Sequence, residues 1–306
     1  MTRLHAPFRI VAAAVALVCA ASWPATADDG WVPTGPGITS GVSGIATAAS
    51  GADPGDLLVV HDNKRTGQPR VSRVRIAADG SAEALPLRWD GPRLPVDLEA
   101  LSDVPGRPGE FVALESSGRG YHLRLRDRSV GVVREFTVPG VVTGDNYESF
   151  ALARRGGRLV ALWAHRGQDA DPGSVRLARL EWETLRFGPP RAVDVTVPYP
   201  AERVRHISDA DVTYSGRLVT SAASDPGDDG PFRSAVYDLG RIVIGAAGEP
   251  VLERRARPLR LGVFGGHKVE AVACVSDAPR TVLGTDDENL GGWVRRDDVC
   301  RPGAVG

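Results

Sequence analysis

The sequence predicts an all-β fold: a single β-propeller of five four-stranded blades, closed by its own N-terminal strand. Three observations carry this reading. Gly and Pro, 36 and 23 of 306 residues, punctuate the chain throughout. Between them lie short apolar or alternating runs, with no capped stretch of helical periodicity. Those runs recur as a unit of four, which is the sequence mark of a repeat architecture.

The elements follow in order. The first unit, the weakest, reads "GVSGIATAA", "DLLVVHD", "RVSRVRIA" and "AEALPLRW". The second is "DLEALSDV", "EFVALESS", "YHLRLRD" and "GVVREFTV", and the third is "YESFALA", "RLVALWAH", "SVRLARLEW" and "RAVDVTV". The fourth runs "ISDADVTY", "RLVTSAAS", "RSAVYDLGRIVI" and "EPVLERRARPLRL". The last has only "KVEAVACV", "TVLGTDDE" and "GGWVRR", so "GWVPTG" from Gly30 is expected to supply its fourth strand and hide two sheet edges. Spacings of 55, 49, 61 and 61 residues from Gly44 through Glu99, Glu148, Asp209 and Glu270 suit five blades. Six blades, if two units are merged, and an unrepeated pair of β-sandwiches are the alternatives.

Ahead of the repeats, residues 1–27 read as a secretory signal peptide: Arg3 and Arg9, an apolar core from Ile10 to Ala21, then Ala25-Thr26-Ala27 as a cleavage site. Residues 28–306 then form the propeller domain, secreted, with no later run approaching the roughly 18 apolar residues of a membrane span. Cys19 follows the bulky Val18, which disfavours lipidation there. Loss of the leader leaves Cys274 and Cys300, which in an oxidising compartment most simply form one disulfide; two unpaired thiols are the alternative. The net charge of −1, falling to about −3 without Arg3 and Arg9, gives no electrostatic reason to expect nucleic acid or a membrane surface. The expected partner is a small-molecule or extracellular ligand, and the expected state is a monomer. No nucleophile elbow, zincin helix, P-loop or Rossmann fingerprint occurs.

In a propeller the first strand of each blade lines the axis. Glu99, Glu148, Asp209 and Glu270 hold matching places there, with Ser43 in the first blade and Asp211 competing with Asp209. Converging carboxylates raise one another's pKa unless something compensates. Two remedies are open: Ca²⁺ among the carboxylates, or carboxylates that accept backbone N–H groups of the next blade as structural glue. A second polar set ends the second strands: His61, Asp62 and Asn63; Glu115; His165; Asp225; Asp286, Asp287 and Glu288. His61 and His165 fall at equivalent places and are the candidate general bases. Such loop acids also occur as ordinary solvated turns.

"VHDNK", "DLEALSDVPGRPGEFVALESS", "NYESFALA", "HKVEAVAC" and "GTDDENLGG" together resemble the secreted propellers of the phytase-like and esterase-like phytase family, over roughly Asp56 to Gly292. The resemblance implies a D-x-E role for Asp97 and Glu99, equivalent blade acids at Glu148 and Glu270, and calcium ligands at Asp62, Asp286 and Glu288. Ala100, Ser149 and Ala271 stand where that family tends to have glycine. The function expected is a Ca²⁺-dependent hydrolase of an ester, lactone or phosphoester, with metal ligands Glu99, Glu148, Asp209, Glu270, Asp62, Asp286 and Glu288 and bases His61 and His165. The alternative is a non-catalytic extracellular binding propeller with a structural acidic ring.

Overall fold

In a computed structural model of the chain, the described residues are 30–48, 55–77, 79–275, 280–301 and 303. The expected signal peptide lies outside them. The first described strand, β1 (Val32–Gly35), does not open a blade of its own. Blade one is β2 (Gly44–Thr47), β3 (Asp56–Val60), β4 (Val71–Ile76) and β5 (Ala82–Pro86). A short β6 (Arg88–Asp90) then precedes blade two: β7 (Leu98–Asp103), β8 (Glu110–Glu115), β9 (Arg119–Leu125) and β10 (Ser129–Thr137).

Blade three comprises β11 (Tyr147–Arg155), β12 (Arg158–His165), β13 (Gly173–Glu181), the two-residue β14 (Arg186–Phe187) and β15 (Arg191–Val195). Blade four comprises β16 (Val204–Val212), β17 (Arg217–Ser224), β18 (Arg233–Ile244) and β19 (Pro250–Gly265). Blade five has β20 (Val269–Cys274), β21 (Thr281–Asp286) and β22 (Gly292–Asp297), and β1 completes it in the sheet order β1-β22-β21-β20. Five blades with N-terminal closure are therefore present, and the Cys274–Cys300 disulfide forms, consistent with an oxidising, extracellular setting.

One expectation is corrected. The run "AEALPLRW" is not one strand: Ala82–Pro86 stays in blade one, while Arg88–Asp90 crosses to pair parallel with β10 of blade two. Leu87 N–H still donates to Val71 O of blade one at 2.9 Å, whereas Arg88 N–H donates to Arg128 O of blade two at 3.1 Å, so the chain crosses between them to the outer edge of β10, which offers unpaired backbone groups.

Strand alternation explains how the ring holds together. Each blade buries residues on both faces, and each apolar cluster joins two neighbouring blades. Leu58, Val60, Phe111 and Tyr121 join blades one and two; Val112, Phe150 and Trp163 join two and three; Leu162, Leu177, Ile207 and Tyr237 join three and four. Val236, Val272 and Leu283 join four and five, and Val59, Ala271 and Val282 join five and one. Close approach of the innermost strands sets a size limit there. A Cβ on Gly44 would stand 2.7 Å from the Leu101 amide nitrogen, which explains the small residue in blade one's first strand.

Candidate functional site

The ring acids owe their placement to β-bulges. Leu98 pairs with Glu115 and Ala100 with Leu114, so Glu99 is the extra residue. Glu148 is extra between Tyr147↔His165 and Ser149↔Ala164, and Glu270 between Val269↔Thr285 and Ala271↔Gly284. A bulge re-aims its side chain, here to one mouth of the axial channel.

Blade four departs from the sequence expectation. Val204 pairs with Ser224 as Leu98, Tyr147 and Val269 pair with their partners, so the residue in the ring position is Arg205, not Asp209. The frame "RVR" at Arg203–Arg205 aligns with "KVE" at Lys268–Glu270, and this alignment is the signal that could have revealed it. Asp209 lies further along the strand. Its Oδ2 accepts the Val272 N–H at 2.8 Å and its Oδ1 the Ala210 N–H at 2.8 Å. Asp211 does the same with Cys274 and Val212, both at 2.7 Å. These two acids tie β16 to β20, which is the glue arrangement. Burial pushes both carboxyls up, Asp211 to about 7. The axis beside Asp211 narrows to a pocket of about 20 Å³, lined also by Ala46, Ser102 and Phe150.

The opposite mouth gathers charge from every blade. Blade one contributes Asp62 and Lys64, and blade two Asp97 and Glu99; Lys64 Nζ lies 2.8 Å from Asp97 Oδ1. Asp97 takes φ 65°, a left-handed conformation Asp tolerates, and its Oδ2 accepts the Ser116 hydroxyl. Blade three contributes Glu148 with Arg166 at 3.2 Å. Arg205 of blade four reaches Glu270 and Asp225, each at 2.7 Å, and Glu148 at 4.0 Å. In blade five, Lys268 lies 3.2 Å from Glu270 and also pairs with Glu288. Asp286 fits only because residue 41 is glycine: a Cβ there would stand 2.1 Å from its Oδ1.

Compensation is uneven around this mouth. Arg166, Arg205 and Lys268 neutralise the side built from blades three, four and five. On the side built from Asp62, Asp97 and Glu99, the one ion pair among the described residues is with Lys64, whose side chain is 59% exposed, while the Arg70 guanidinium near Asp62 is occupied by the backbone carbonyls of Pro95, Gln68 and Arg65. One oxygen from each of these three carboxylates lies within 4.8 Å of the others. Glu99 is 8% exposed, and its carboxylate makes no hydrogen bond among the described residues. Burial, then Glu148, Asp97 and Asp62, push Glu99 well above the usual carboxylate range. Burial and then Glu270 push Asp62 to about 6. Burial raises Glu148 to about 7 against the opposing pull of Arg205 and Arg166. Asp286 is held well up by burial and Glu270. For Arg205 and Lys268, burial alone would lower the pKa, but their carboxylate partners outweigh it and both are held charged.

The two histidines are equivalent, as the repeat implies, but neither ring pairs with a carboxylate among the described residues. His61 is buried, with Nδ1 2.5 Å from Gly41 O and Nε2 2.8 Å from Ser72 Oγ, and burial lowers it to about 4. His165 accepts the Asn146 N–H on Nδ1 at 2.8 Å. Asp287, adjacent to Asp286, braces its loop through His267 Nδ1 and the Lys268 N–H, both at 2.6 Å.

No family model matches the chain, and no curated protein matches it. Among solved structures it is similar to a protein provisionally described as an exo-β-1,3-galactanase from Bifidobacterium bifidum, with TM-score 0.46, 10% identity, and coverage of 87% of this chain and 91% of that one. It is also similar to an α-L-arabinofuranosidase from Clostridium thermocellum, with TM-score 0.45, 10% identity, and coverage of 80% and 87%. A GH43 protein from Bacillus licheniformis gives TM-score 0.43, 14% identity, and coverage of 68% and 42%.

Proposed function

We propose that the charged mouth is the centre of a secreted, Ca²⁺-dependent hydrolase acting on an ester, lactone or phosphoester, the chemistry that the phytase-like resemblance also implies. One observation carries the reading. Three carboxylates with oxygens within 4.8 Å of one another, that of Glu99 largely buried, occupy the side of the ring that Arg166, Arg205 and Lys268 do not pair with. A hard cation with flexible oxygen coordination suits that donor set, and Asp62, Asp97 and Glu99 would hold it. When bound, the ion would polarise the scissile group and make water a better nucleophile. Glu148, held near 7 between Arg166 and Arg205, is the group placed to take and return a proton at neutral pH. Asp286 and Glu288 border the same mouth, with Glu288 occupied by Lys268.

The test is calorimetric titration of the mature, chelator-treated protein with Ca²⁺, followed by a screen of p-nitrophenyl esters, lactones and phosphoesters. Saturable binding lost in Glu99→Gln, together with turnover lost in Glu148→Gln, supports the proposal. Binding without turnover of any of the three classes would refute the catalytic part. A second reading has one observation in its favour: Arg205 satisfies three carboxylates at once, as a structural plug would. On that reading the propeller binds an extracellular ligand without chemistry, and Ca²⁺ leaves its melting temperature unchanged.

A further inference from the structure

The outer edge of blade four carries a charge opposite to that of the mouth. Strand β19 pairs with β18 from Gly240↔Arg254 to Ile244↔Pro250, and again from Arg233↔Gly265 to Asp238↔Leu259. Between these stretches Arg255, Ala256, Arg257 and Pro258 have no partner across the ladder and bulge away from Leu239. Gly240, at φ 133°, makes the bulge possible: a Cβ there would stand 2.2 Å from Glu253 O. The result is a groove of about 240 Å³ lined by Arg217, Asp238, Arg241, Glu253, Arg254 and Arg255.

The groove is built around a fully buried acid. Asp238 Oδ1 accepts the Gly240 N–H at 2.8 Å, and Oδ2 holds Arg255 Nη2 at 2.9 Å and Arg217 Nη1 at 3.7 Å. Arg254 Nη1 donates to the Asp194 carbonyl at 3.1 Å, which orients the guanidinium without cancelling its charge. Arg241 and Arg257 are exposed and make no ion pair or side-chain hydrogen bond among the described residues. Exposed Arg260 extends the line. At about 3.3 Å per residue, Arg254 and Arg260 lie up to about 20 Å apart along the strand, too far for one small anion to bridge. Charge on an edge strand can simply prevent sheet-to-sheet pairing. That role requires neither a groove nor an oriented arginine.

We infer that this strip binds a flexible polymer with closely spaced phosphates, a polyphosphate or a phosphodiester-linked polyol. Guanidinium forks match phosphate oxygens in pairs, and a line of them follows a polyanion backbone. No aromatic ring lies exposed on β19 to stack a base, which sets this ligand apart from single-stranded nucleic acid.

The experiment is fluorescence anisotropy of labelled long-chain polyphosphate with the whole mature protein, at low and moderate salt. Binding should fall steeply between about 50 and 200 mM salt, and weaken about tenfold or more in the triple variant Arg241→Ala, Arg254→Ala, Arg257→Ala, whose melting temperature should match wild type. A control triple in blade two, Arg124→Ala, Arg126→Ala, Arg128→Ala, should bind as wild type does. A synthetic glycerol-phosphate oligomer tests the polyol source by competition. Absence of polyphosphate binding at low salt would overturn the inference. So would equal loss in both triples, or tighter binding of oligo-dT than of polyphosphate.

Discussion

Replacing Arg205 with Met tests the electrostatic account of the mouth most directly. Arg205 is the only ring-position residue of its blade, and its guanidinium serves Glu270, Asp225 and Glu148 at 2.7, 2.7 and 4.0 Å. Its side chain is 13% exposed and those of Glu148 and Glu270 are 2% and 3% exposed, so solvent can compensate little for its loss. Removing one partner of such a buried set costs about 3–5 kcal/mol, because an uncompensated charge remains behind. At about 2–4 °C per kcal/mol for a domain of this size, the melting temperature should fall by roughly 6–20 °C. The buried carboxylates can escape part of this cost by taking up protons, so the loss should be smaller at pH 5.5 than at pH 8. Adding Glu270→Gln to Arg205→Met should recover stability by removing the stranded charge. Differential scanning calorimetry of the single and double variants at both pH values decides the matter. A fall of less than about 2 °C at pH 8, or a double variant less stable than the single, would refute the claim that Arg205 holds the carboxylates together.

Glu99→Gln should raise the melting temperature in chelator, since it removes a buried charge that Glu148, Asp97 and Asp62 all oppose, and should abolish any Ca²⁺-dependent rise seen in wild type by thermal unfolding. Asp211 has a folded pKa near 7, above its unfolded value, so its contribution is present at low pH and is lost as pH rises through about 7. Asp211→Asn removes that titration, and urea unfolding should show the variant gaining on wild type, by on the order of 2–4 kcal/mol, between pH 4 and 8. Opening the disulfide with Cys300→Ser, across a sequence separation of 26, should cost about 3 kcal/mol in the same assay.

Much of the ring was legible in the sequence because blade geometry writes itself as repeated strand runs. The closing strand could be found because "KVEAVACV", "TVLGTDDE" and "GGWVRR" leave one strand missing and "GWVPTG" supplies it. Glu99, Glu148 and Glu270 were legible because a lone acid in an apolar strand is costly unless the fold gives it a place. The fourth blade departs from the repeat at one position, where Arg205 rather than Asp209 stands in the ring. There the irregular pairing between Arg205 and Asp209 inserts residues into the first strand, and an acid-seeking alignment slides past the arginine to the next available carboxylate. The histidines show a different limit: His61 and His165 do repeat, but repetition fixes only a place in the blade, and there His61 engages the Gly41 carbonyl and the Ser72 hydroxyl while His165 accepts the Asn146 N–H.

Arg205 in the ring position changes the charge balance of the mouth. Four converging carboxylates, with Ser43 as the fifth member, would have left no internal cation at any ring position. One arginine in the fourth position, with Lys268 and Arg166 beside it, satisfies Glu148, Glu270, Asp225 and Glu288 from within. Asp62, Asp97 and Glu99 are thereby left to the more exposed Lys64, next to the Glu148 carboxyl, which burial raises to about 7 against the pull of Arg205 and Arg166. The charge asymmetry of the mouth thus comes from the blades that depart from the acidic repeat, blade four with Arg205 and blade one with Ser43, and it is this asymmetry on which the proposed cation and proton-transfer roles rest.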